Sequence, residues 1–137
     1  MLHARKPAMS ARLSYGSVDF TSRVEGATPH QLVVILFDEL LASLDTMAIA
    51  AARGQFATYL DRQSRALAVL QGLDTSLDFE AGGELARGLA SIYSQAKQRI
   101  LNASQTEDRV AAITGVRVML AEIADAWAAI GQPNRAG

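Results

Sequence analysis

Carboxylates and histidines are the side chains of this 137-residue chain that could do chemistry, and their spacing decides which. A helical di-metal site needs Glu-x-x-His pairs on facing helices, with further Glu residues to bridge the ions. Here the third residue after Glu39 is Ala42, after Glu84 it is Arg87, and after Glu122 it is Asp125. The chain has only two His, too few for the usual nitrogen-ligand sets of a metal centre. His30 falls in the first turn of a predicted helix, where it reads as a surface or capping neighbour and not as a general base. A phosphorelay would want a His in mid-helix beside a basic residue, and neither His has that setting. There is no nucleophile elbow and no phosphate loop, and Gly82-Gly83 alone is a weak signal. A cysteine count of zero excludes disulfides and thiolate metal sites. We therefore expect no catalytic residues, metal or cofactor, and a binding protein in place of an enzyme.

Composition agrees with a folded, soluble binder. Hydrophobic residues make up 50% and charged residues 20%, enough for a real core. With 13 basic and 14 acidic side chains the net charge is -1, which argues against a nucleic-acid partner. No apolar run approaches the roughly 18 to 20 residues of a membrane span. The start, "MLHARKPAMSARLSYGS", has no apolar stretch of the kind a secretory signal carries. The expectation is a cytoplasmic protein without membrane insertion.

Four helices must position whatever the surface offers. Thr28, Pro29 and Gln31 form a capping box with Pro at the first helical position, and Gly54 supplies a stop. A second helix is expected from about Phe56 to Leu77, a third from about Glu84 to Ala103 after the Gly82-Gly83 break, and a fourth from about Thr106 to Ile130. Ser104 and Glu107 match a capping box for the fourth; Gly131 and Pro133 end it. The connections are short, so sequential helices should pack antiparallel. The predicted fold is all-α: an up-down-up-down four-helix bundle over residues 28–131, a flexible N-terminal arm over 1–27 and a polar tail over 132–137. Leu40, Leu70, Leu89, Leu120 and Trp127 are the expected core.

The first helix carries more apolar surface than one core needs. Val33, Leu36, Phe37, Leu40, Leu44, Met47 and Ala51 share a broad arc that suffices for the bundle. Ile35, Ala42 and Ile49 recur by sevens on nearly the opposite side, bordered by Asp38 and Asp45. Val69 and Val118 likewise leave the main stripes of their helices. Single exposed apolar residues are ordinary, but a heptad-spaced row marks a partner surface, and its natural partner is another amphipathic helix. We therefore expect partner contacts at Ile35, Ala42, Ile49, Val69 and Val118. The alternative is a self-associating bundle in which the Ile35–Ile49 row is a homodimer seam.

The stretch "VEGATPHQLVVILFDELLASLDTM" resembles the start of the flagellin export chaperones, the FliS family, where a small residue and Ser/Thr-Pro precede a Leu-rich helix. "GGELARGLASIYSQAKQRILNA" resembles the family's third helix, and "LAEIADAWAAI" its last, with a Trp near the end. The matches occur in the family's order and span most of Val24 to Ile130. The resemblance implies a cytoplasmic helical bundle that binds the disordered C-terminal segment of flagellin and hands it to the flagellar export gate. It also implies an N-terminal arm that can cover part of the groove, with Tyr15 and Phe20 as its aromatics. Family members usually have paired Tyr residues there; here the second aromatic is Phe20.

Overall fold

The protein is described by a computed structural model for residues 20–130, all of which lie in helices or the turns between them. Helix α1 spans Pro29–Arg53. Its start follows from the local chemistry: the Thr28 hydroxyl accepts from the Gln31 amide at 3.1 Å, and the Gln31 side chain accepts from the Thr28 amide at 3.0 Å. Two backbone donors that a helix start leaves orphaned are thereby satisfied. At the other end Gly54 adopts φ 69°, ψ 25°, the left-handed cap a glycine takes without strain.

Helix α2 spans Phe56–Thr75, α3 Phe79–Asn102 and α4 Arg109–Ile130, with a short 3-10 turn at Ala103–Gln105. Two boundaries differ from expectation. Helix α3 begins a turn before Gly82-Gly83, because the Asp78 carboxylate accepts from the amides of Glu80 and Ala81 at 3.0 Å each. The break survives as a kink at Gly83, φ 51°, ψ −123°, inside the helix. Helix α4 does not use the Ser104–Glu107 pair. The 3-10 turn carries the chain past it, and Asp108 caps the helix by accepting from the Ala111 amide at 3.0 Å.

Each long helix lies alongside its sequence neighbours and α4 closes on α1, while the diagonal pairs meet only through core side chains such as Phe37 and Tyr93. That is the cyclic order of an up-down-up-down bundle. The core runs through Phe37, Leu40, Leu44 and Met47 of α1, Tyr59, Ala66, Leu70 and Leu73 of α2, Tyr93, Ala96 and Ile100 of α3, and Ile113, Val116 and Leu120 of α4. Leu40, Leu70 and Leu120 are buried as expected, whereas Leu89 packs against this core half-exposed. Trp127 departs further. It is half-buried at the end of the bundle and lies outside the core cluster.

Trp127 instead ties α4 to α1. Its ring stacks on His30 with centroids 4.9 Å apart and an 11° interplanar angle. The indole Nε1 donates to the His30 carbonyl at 3.2 Å, and His30 Nε2 donates to the Trp127 carbonyl at 2.8 Å. The carbonyl can only accept, so the His30 proton sits on Nε2. His30→Ala removes a stacked pair and one hydrogen bond, and should cost about 1–2 kcal/mol by urea titration.

The described end of the expected arm, residues 20–25, contacts the bundle. Residues 20–25 are helical and turn into α1 through Gly26. Arg23 reaches Asp38 of α1 at 3.4 Å, and Phe20 lies under the Arg65 guanidinium of α2, 4.9 Å from ring centre to Cζ. Arg65 in turn pairs with Glu39 of α1 at 2.8 Å. The segment is therefore held on α1 and α2. Tyr15, the rest of the arm and the 132–137 tail lie outside the described residues.

Candidate partner-binding surface

The heptad row of α1 is a real geometric feature, but it is not an open strip. Ile35, Asp38, Ala42, Asp45 and Ile49 alternate by three and four and so lie along one side of the helix. Each Asp is engaged by an Arg from another element: Asp38 by Arg23, and Asp45 by Arg117 of α4 at 2.7 and 3.2 Å. The N-terminal half of the row is thus crossed by the 20–25 segment. Ile35 there is 8% exposed, buried without belonging to the core cluster. The C-terminal half lies beside α4, to which Asp45 is tied, and there Ala42 is exposed and Ile49 is 51% exposed.

Of the five positions predicted to meet a partner, three present surface. Val118, next in sequence to the Arg117 that pairs with Asp45, is 53% exposed, and Ala42 and Ile49 are exposed on α1. Ile35 and Val69 do not present surface. Val69, at 5%, belongs to the core of α2. The reason is that the buried stripe of α2 runs Tyr59, Ala66, Val69, Leu70, Leu73, a three-four pattern completed by an alanine. A reading that weights only large side chains sets the stripe one position off and leaves Val69 outside it.

Other apolar surface was not anticipated. Phe56 and Leu60, one turn apart at the start of α2, are 60% and 43% exposed, and Leu85 of α3 is 61% exposed. A hollow of about 290 Å³ opens at the end of the bundle, lined by Val33, Leu77, Leu85, Leu89, Tyr93 and Trp127. A second, more polar groove of about 390 Å³ lies between α2 and α3 and includes Leu67, Gln71, Asp74, Tyr93 and Lys97. Tyr93 borders both. A sequence signal for the first existed: Leu85 and Leu89 follow a glycine pair at which α3 kinks, and Gly82 lines the hollow.

Burial pushes the Tyr93 phenol up to about 12 from an ordinary 10.0, and the Asp74 carboxylate adds to the effect. Tyr59 is also raised by burial, with Arg109 pulling the other way. The folded value of Tyr93 exceeds the unfolded one. Its contribution to stability is thus intact below pH 10.0 and declines as pH rises through about 12. Tyrosinate absorbance of the native protein should show one phenol ionising near the upper value, and that phenol should vanish in Tyr93→Phe.

Among the described residues no three or more His, Asp or Glu side chains gather in a way that could hold a metal ion, and no helix is long and apolar enough to cross a membrane. The surface offers apolar side chains, ion-paired edges and grooves between helices. That is the equipment of an all-α bundle that docks other polypeptides.

Comparison with known proteins agrees in kind. The sequence profile of the family "Flagellar protein FliS" matches residues 11–134. The chain is 34% identical over 115 residues to the flagellar secretion chaperone FliS of Salmonella typhimurium, covering 83% of this chain and 84% of that one. It is 32% identical to the Escherichia coli protein of the same name, with the same coverage. It is 30% identical over 120 residues to the flagellar secretion chaperone FliSB of Pseudomonas aeruginosa, covering 88% and 94%. The chain belongs to the FliS family.

Proposed function

We propose that this protein is a cytoplasmic export chaperone. It binds the disordered C-terminal segment of flagellin, prevents premature polymerisation and delivers the client to the flagellar type III export apparatus. The observation that carries this reading is family membership across nearly the whole bundle, joined to relatives named as flagellar secretion chaperones. The physical need is consistent with the surface. Ordering a disordered segment costs roughly 2–5 kcal/mol, so the client must find long apolar contacts. Ile49, Val118, Phe56 and Leu60 offer apolar area that a monomer gains nothing by exposing. Binding of this kind requires no nucleotide; release comes from competition at the export gate.

In this reading the N-terminal arm is a cover. The contacts of Phe20 with Arg65 and of Arg23 with Asp38 support this reading, in which the arm's last turn occupies the α1 row until a client helix takes it. Isothermal titration with a peptide of about the last 50 residues of the organism's own flagellin should give one-to-one binding, sub-micromolar affinity and a negative heat-capacity change. Deleting residues 1–22 should tighten it. Absence of binding by both forms would sink the proposal.

A further inference from the structure

The hollow at the end of the bundle has a chemistry of its own. It is walled by Val33 of α1, Leu77 of the α2–α3 turn, Leu85, Leu89 and Tyr93 of α3 and the Trp127 indole of α4. Its volume, about 290 Å³, is at or below the small end of the range typical of cofactor and drug-sized ligands and suits one large side chain. Leu85, Phe79 and Ile130, all at this end, are 61%, 50% and 68% exposed, so the apolar surface extends beyond the mouth.

The surrounding charge is one-sided. From Ala66 to Ala86 the chain carries Asp74, Asp78, Glu80 and Glu84 and no Lys or Arg. Asp78 lines the hollow, and Glu80 and Glu84 flank the lining residues Ala81 and Gly82 on the first turns of α3. Arg87 meets Glu84 at 3.7 Å with both side chains largely in solvent, which leaves Asp74, Asp78 and Glu80 without an ion pair among the described residues. Helices α1 and α3 begin at this end while α2 and α4 finish there, so their dipoles offset and side chains set the sign.

We infer that this acidic-rimmed hollow is a docking site for a partner helix that inserts one large apolar side chain between flanking Arg or Lys residues. Charge complementarity selects that occupant. A second copy of the chain would bring the same carboxylates face to face. An anionic membrane surface is repelled for the same reason. The chain's own tail, "GQPNRAG", has a cation but no large apolar side chain to insert.

The site can be read directly, because Trp127 is the only tryptophan and forms part of its wall. The probes are two short amphipathic peptides with identical Leu anchors, one flanked by Arg and one by Glu, titrated into the full chain while Trp127 emission is followed. The Arg-flanked peptide should bind about tenfold or more tightly than the Glu-flanked one, and that preference should shrink as salt screens the rim. The variant Glu80→Gln with Glu84→Gln should erase most of the preference, and Leu85→Ser should weaken both peptides. Ile49→Asp, on the exposed side of α1 away from the hollow's lining, should change neither. Equal response to the two peptides, or a preference untouched by the Gln variant, overturns the inference. No flagellin is used, so the result stands apart from the identity of the client.

Discussion

The pair Ile49→Asp and Val118→Asp should weaken binding of a flagellin C-terminal peptide by at least about tenfold while leaving helicity and melting temperature nearly unchanged. Both side chains are about half exposed, so neither substitution buries a charge in the free protein. In a complex the same carboxylates would be trapped against an apolar client, and burying an unpaired charge costs several kcal/mol unless it finds a partner. A loss of about 1.4 kcal/mol already gives tenfold. Titration calorimetry of the variant beside the parent chain measures the loss, and circular dichroism confirms that the fold is kept. Undiminished affinity would move the client elsewhere, with Phe56 and Leu60 the next surface to test. Ile35→Asp is unsuitable for this purpose, because at 8% exposure it would destabilise the free protein first.

Phe37→Ala should be the most damaging single change among the core positions discussed, at about 3–5 kcal/mol. Phe37 is 2% exposed in α1 and its ring tilts against Tyr93 of α3, 6.3 Å between centroids. It therefore belongs both to the α1-centred core and to the contact that seats α3, the helix bordered by the two hollows. Truncation would open a cavity beside Tyr93, itself a lining residue of both hollows. A stability of about 5–15 kcal/mol is ordinary for a domain, so the variant should lose a large fraction of it. Chemical denaturation checks this, and a cost below about 1 kcal/mol would mean the neighbours collapse into the gap.

Much of the bundle was legible without coordinates, because helix ends are local chemistry. Thr28, Pro29 and Gln31 specify a start from four consecutive residues, and Gly54 specifies a stop from one. Leu40, Leu70 and Leu120 could be assigned to the core from periodicity alone. The errors have physical causes. The Ser104–Glu107 motif is satisfactory in isolation, but the 3-10 turn takes up Ser104 and Asp108 provides a competing cap. Trp127 shares a face of its helix with Leu120 and was expected in the core, yet a residue near a helix end reaches solvent, and His30 supplies its partner from another helix.

What the chain by itself determined was therefore the helices, most of their inward faces and family membership. Only the tertiary arrangement decided which apolar residues remain available to a partner. In a four-helix bundle each helix is covered along two flanks, so the buried arc depends on how neighbours lean and not on one helix's own period. That is why Val69 is inside while Ile49 and Val118 are outside. It is also why Ile35 and Ile49, equivalent in sequence spacing, differ so much. The 20–25 segment crosses one half of their row and leaves the other open, a contact made between residues far apart in the chain.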